Sequence, residues 1–143
     1  GDVRLARVLE EEIETVGDGY EAATFTVEGS VPDVRVAGNE MLSSVFRNLL
    51  NNAVQHNDAA APTVTVSATA DGDSVEVRVA DDGPGIPEQE RDFITGERDI
   101  TQLQHGSGLG LWAINWIVES FGGSLSFETP EEGSVVVLRL RTQ

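Results

Sequence analysis

Two glycine clusters hold the residues whose types and spacing could do chemistry: Asp81-Asp82-Gly83-Pro84-Gly85-Ile86-Pro87 and Gly106-Ser107-Gly108-Leu109-Gly110-Leu111. Glycine allows positive φ and has no Cβ, so backbone can approach a ligand closely at both places. The second cluster runs into an apolar-periodic segment and therefore opens a helix, whose free N–H groups and positive dipole end suit an anion such as phosphate. Either cluster alone also fits an ordinary strand–turn–helix loop. A third set lies upstream, where Asn48, Asn52 and Gln55 recur at i, i+4 and i+7 around Asn48-Leu49-Leu50-Asn51-Asn52-Ala53. Asparagine is a poor interior helix residue because its amide competes for backbone hydrogen bonds, so this face is either a solvated polar stripe or a site. An amide oxygen is a hard, neutral donor that suits magnesium.

The elements that must position these groups are legible as periodicities. Val3 to Val16 reads as an amphipathic helix ending at Gly17, and Thr24–Glu28 and Asp33–Val36 as two short strands around a Gly29-Ser30-Val31-Pro32 turn. Asn39 is a good N-cap for a helix that buries Leu42, Val45, Phe46, Leu49 and Ala53. Pro62–Ala70 and Ser74–Asp82 alternate around Asp71-Gly72-Asp73 as a hairpin, which leaves Asp81 at a strand end. There its carboxylate either accepts loop N–H groups or a ligand. Pro87 to His105 is polar and aperiodic, as functional lids and disordered segments are. Leu109 to Phe121 is the next helix, with Trp112 and Trp116 in the core or on a docking face, and Ser124–Thr129 and Ser134–Arg141 form a final hairpin. This order predicts an α/β two-layer sandwich, a mixed, mainly antiparallel sheet with helices on one face.

Composition narrows the function classes. The 143 residues suit a single domain, burying roughly two-thirds of the unfolded surface. No apolar run is long enough to span a membrane, and the start at Gly1-Asp2 reads as that of an excised fragment. The absence of cysteine excludes disulfides and thiolate chemistry and fits a reducing interior. A net charge of −16, with 25 acidic residues against 9 basic ones, all Arg, argues against nucleic-acid binding. The charges are dispersed through apolar periodicities, which points to a folded protein suited to high salt, where screening over about 3 Å suppresses self-repulsion.

The asparagine box, the Asp-x-Gly-x-Gly box and the Gly-x-Gly-x-Gly box, in this order, resemble the ATP-binding catalytic domain of sensor histidine kinases. That superfamily is shared with DNA gyrase, the ninety-kilodalton heat-shock chaperones and the mismatch-repair protein MutL. The resemblance covers nearly the whole chain, taken as one domain over residues 1–143 of haloarchaeal type, with a mobile ATP lid at about 87–107. It implies ATP and Mg2+. Asn52, directly before Ala53, matches the magnesium ligand, and Asn48 would orient water or phosphate as the second catalytic asparagine. Asp81 matches the acceptor of the adenine exocyclic amine. Gly83, Gly85, Ile86, Gly106, Ser107, Gly108, Leu109, Gly110 and Leu111 match the backbone cradle of the nucleotide. Gln55 stands where a phosphate-contacting basic residue is common, and His56 either lies over the adenine or packs on the sheet. His105 is either a surface residue or phosphate-facing. Asp82 stands where Asn or Thr is commoner, and Phe93 alone represents the usual phenylalanine pair of the lid.

Hydrolases of the superfamily carry a glutamate base at the position of Asn48, and an amide cannot accept a proton at neutral pH. The resemblance therefore implies a kinase: the γ-phosphoryl group passes to a histidine on a separate helical domain, which also dimerises, and then to a response regulator. A cytoplasmic location follows, in a full-length protein that is soluble or membrane-anchored. The alternatives are a non-catalytic nucleotide-sensing module and an anti-sigma-type serine kinase.

Overall fold

The computed structural model describes residues 1–55, 57, 60–83, 110–128, 130 and 133–143. In chain order these form β1 (Asp2–Arg4), α1 (Leu5–Asp18), β2 (Thr24–Val27), β3 (Arg35–Ala37), α2 (Met41–Gln55), β4 (Thr63–Asp71), β5 (Ser74–Asp81), α3 (Leu111–Ser120), β6 (Ser124–Glu128) and β7 (Ser134–Arg141). The main sheet has the order β2-β4-β5-β7-β6, parallel only between β2 and β4, and the helices pack on one side of it. The mixed, mainly antiparallel sandwich expected from the periodicities is the fold observed.

Local chemistry sets the element ends. Asn39 caps α2 as expected, its Oδ1 accepting the Met41 N–H at 2.8 Å. Gly72, at φ 62°, takes the first position of a two-residue turn between the paired Asp71 and Ser74, the place where a type II′ hairpin requires glycine. Helix α3 stops in a Schellman arrangement: Gly122 is left-handed at φ 81° and donates to the Glu119 carbonyl, while Gly123 donates to that of Val118.

Two local expectations are corrected, and the partners of two strands are found. Val3 belongs to β1, not to the first helix, because its neighbours pair with β3 through Asp2↔Ala37 and Arg4↔Arg35. The helix runs through Gly17 to Asp18, where no side chain is needed and a Cβ would meet only Phe25 at 3.6 Å. Strands β2 and β3 do not pair with each other across their turn. β2 instead adds to β4, and β3 to β1.

The core lies between helices and sheet. Val64 and Val66 of β4, Val75, Val77 and Val79 of β5, and Val136, Leu138 and Leu140 of β7 form one face against Leu42, Val45, Phe46, Leu49 and Leu50 of α2. Phe46 is almost fully buried, and its truncation to Ala costs about 3–5 kcal/mol. α1 is tied to α2 by a bidentate ion pair between Arg47 and the buried Glu12, at 2.8 and 3.0 Å. On the opposite face, Arg78 stands beside Val137 and Glu128 beside Val135. Their ion pair therefore crosses over β7 and helps bury two valines on the sheet's outer side. Among the described residues no helix is long and apolar enough to cross a membrane.

Candidate functional site

Period-two alternation decides where Asp81 points. It follows Val75, Val77 and Val79 on the helix-facing side of β5, so its carboxylate stands at the end of the core and not on the outer face. Both of its oxygens are held. Oδ1 accepts the Gly83 N–H at 2.9 Å and Oδ2 accepts the Ser134 hydroxyl at 2.7 Å. Each oxygen keeps a lone pair for a further donor, as an amine on a base would supply. Gly133, at φ 79°, lies so close that a Cβ there would come within 2.0 Å of the Asp81 carbonyl oxygen. The start of β7 is thus pressed against the end of β5.

Gly83 sits in a tight space. A Cβ there would sit 3.1 Å from Asp81 Oδ1 and 3.2 Å from Cα and Cγ of Asn57, the buried residue just beyond α2. Asp82 is exposed, and its Oδ1 accepts from the Asn57 amide and from the Thr63 N–H at 3.1 Å. These bonds, the Thr63 N–H first and then Asn57, hold the Asp82 carboxyl below the usual aspartate range.

On α2, Asn48 is half-buried and turns its amide N–H back to the Ser44 carbonyl at 2.7 Å. Asn52, one turn on, is half-buried and makes no side-chain hydrogen bond among the described residues. A half-buried amide oxygen left to a ligand is the donor type that magnesium accepts. Gln55 is exposed, and its Nε2 donates to the Tyr20 hydroxyl at 3.2 Å. Gly110 caps α3 in extended conformation, its carbonyl taking the Ile114 N–H, and Leu111 is buried.

Asp81, Gly83, Asn48, Asn52, Gln55, Gly110 and Leu111 are thereby placed, at and just past the end of β5, on α2 and at the start of α3. His56, Gly85, Ile86, His105, Gly106, Ser107, Gly108 and Leu109, with the lid at 87–107, lie outside the described residues. Three polar groups at this end of the sheet escaped the sequence reading. Ser134 and Asn57 hold the two aspartates, and Tyr20 meets Gln55. The adjacent glycine of Gly133-Ser134 was the available signal for the first. Nothing in one dimension pairs Asn57 with Asp82. Trp116 is exposed on α3 and outside the core, whereas Trp112 is half-buried.

Residues 38–143 match the family described as histidine kinase-, DNA gyrase B-, and HSP90-like ATPase. The sensor histidine kinase AruS of Pseudomonas aeruginosa is 33% identical over 111 residues, covering 72% of this chain and 11% of AruS. The sensor protein KdpD of Rathayibacter rathayi is 34% identical over 143 residues, covering 96% of this chain and 16% of KdpD. The chain thus spans only a small part of the length of these curated relatives. Among solved structures, the mycobacterial sensor histidine kinase MprB superposes with a TM-score of 0.81 at 26% identity, covering 100% of this chain and 97% of that one.

Proposed function

The chain belongs to the histidine kinase-, DNA gyrase B-, and HSP90-like ATPase family and is homologous to the ATP-binding catalytic domains of sensor kinases; on that premise we propose that it transfers the γ-phosphoryl group of ATP to a histidine on a separate helical domain of the same protein. That domain would also form the dimer, and a response regulator would receive the group next. Asn48 carries this reading. In the family pattern it stands where a hydrolase carries a glutamate base, and a side-chain amide, here held to the helix by its bond to the Ser44 carbonyl, is not basic enough to take a proton from water at neutral pH.

In this reading Asp81 accepts from the adenine amine while Gly83 and Ser134 keep its carboxylate oriented. The Asn52 amide oxygen would hold magnesium, and Asn48 would orient water or a phosphate oxygen on the same helix face. Bound magnesium supplies neutralisation of phosphate charge. The backbone of residues 83–86 and 106–111, with Gln55, His56 and His105, would line the nucleotide, and residues 87–107 would form the lid. Residues 1–143 would be one domain. The rest of catalysis is positioning, because phosphoryl transfer asks little covalent chemistry of the protein.

The charge of −16 and the lack of Lys support a halophilic, haloarchaeal-type origin, and the absence of cysteine supports a cytoplasmic setting. Gln55, tied to Tyr20 where a cation would help bind phosphate, favours a second reading in which the domain senses nucleotide without transferring it. Radiolabelled ATP with magnesium distinguishes the two. The chain alone should bind but not label itself, and the full-length protein should carry acid-labile phosphohistidine on its helical domain. Label on His56 or His105 of the isolated chain would overturn this division of labour, and an unlabelled full-length protein would favour sensing.

A further inference from the structure

One residue beyond the last ladder pair of β4 and β5, Val64↔Asp81, the backbone ladder gives way to a side chain. Oδ1 of Asp82 takes the Thr63 N–H at 3.1 Å, the donor that begins β4. The same oxygen accepts from Nδ2 of Asn57. Asn57 is buried and stands two residues past α2, where its own N–H closes a last turn on the Val54 carbonyl at 3.1 Å. Asn52 opens that final turn of the helix. The Gly83 backbone lies against Asn57, so that a Cβ there would come within 3.2 Å of Cα and Cγ of Asn57. One carboxylate oxygen therefore joins the end of α2, the start of β4 and the strand end that carries Asp81.

We propose that Asp82 is a positioning residue of the nucleotide site: through Asn57 it holds the last turn of α2, and with it Asn52, at a set distance from Asp81. The proposal rests on the reading of Asn52 as the metal-side and Asp81 as the adenine-side contact. A nucleotide that spans both contacts feels this distance, whereas one held mainly by its base does not. Asp82 itself touches neither end. Its negative charge is useful here because a carboxylate accepts two N–H donors on one oxygen more strongly than an amide does. The departure from Asn or Thr at this position is thus matched by an amide donor at residue 57.

The test compares Mg-ATP with metal-free ADP on wild type, Asp82→Ala, Asn57→Ala and the double variant by calorimetric titration. Each single substitution should weaken Mg-ATP about tenfold, the size expected for a lost charged hydrogen bond. Metal-free ADP should change by less than about twofold, and the double variant should be no weaker than either single one, since both break the same link. Asp82→Asn keeps an acceptor oxygen but not the charge and should recover part of the loss. If Asp82→Ala does not fold, Asn57→Ser, too short to reach Asp82, should give the same selective loss. Equal loss for both ligands, additive losses in the double variant, or unchanged affinities would overturn the proposal. Nucleotide binding by wild type without these selective losses in the variants rejects the positioning role alone. A wild-type chain that binds no adenine nucleotide rejects the site assignment, and the positioning role with it.

Discussion

The Ser134 hydroxyl donates to Oδ2 of Asp81 at 2.7 Å, joining residues 53 apart in the chain at the mouth of the sheet. Ser134 is buried, so its removal leaves the carboxylate without a partner that water does not readily replace. Asp81→Asn should weaken Mg-ATP by tenfold or more, a charged hydrogen bond being worth about 1.5–3 kcal/mol. Ser134→Ala should reduce affinity less and lower stability by about 1 kcal/mol. Titration against ATP and GTP checks the assignment. Equal affinity for GTP, or an unaffected Asp81→Asn, would remove adenine from Asp81.

Metal dependence separates two neighbouring asparagines. Asn51 and Asn52 are both half-buried on α2 and stand about 100° apart around the helix axis, and it is Asn52, directly before Ala53, that is read as the magnesium ligand. Asn52→Ala should lose magnesium-dependent ATP binding more than magnesium-free binding, and Asn51→Ala should matter less. A more sensitive Asn51 would put the metal on the wrong helix face.

Acid should unpick the outer face of the sheet. The hydrogen bond from Arg78 holds the Glu128 carboxyl below its ordinary value of about 4.5, and the pair crosses β7 above Val135 and Val137. A folded-state value below the unfolded one means that the unfolded chain binds more protons in that window. The stabilisation is therefore complete above about pH 4.5 and lost as pH falls through the folded value. Urea unfolding across this range should show a steeper decline for wild type than for Glu128→Gln. Parallel curves would mean that the pair adds nothing.

Salt provides the fourth test. With a net charge of −16, the melting temperature should rise from dilute buffer to multimolar KCl as repulsion among carboxylates is screened. A flat or falling curve would reject the halophilic reading.

Local pattern alone determined a good part of this molecule. The alternation of Val75, Val77 and Val79 predicted both β5 and the position of Asp81 at its end, Asp71-Gly72-Asp73 predicted the turn before it, and Asn39 predicted the start of α2. Such features rest on a residue's own side chain and its near neighbours, so one dimension suffices to read them. Tertiary structure alone decided which strands meet. Periodicity tells which face of β2 and β3 is apolar but not which free edge will accept their N–H groups, and a parallel partner for β2 lies beyond α2, while β3 turns back to β1. The same holds for the groups that steady the site. Ser134 reaches Asp81 because β7 pairs with β5 in the register Asp81↔Ser134, and Asn57 reaches Asp82 because α2 packs over β4 and β5. Hydrogen bonds that close loops of this length exist only once the core has brought their ends together.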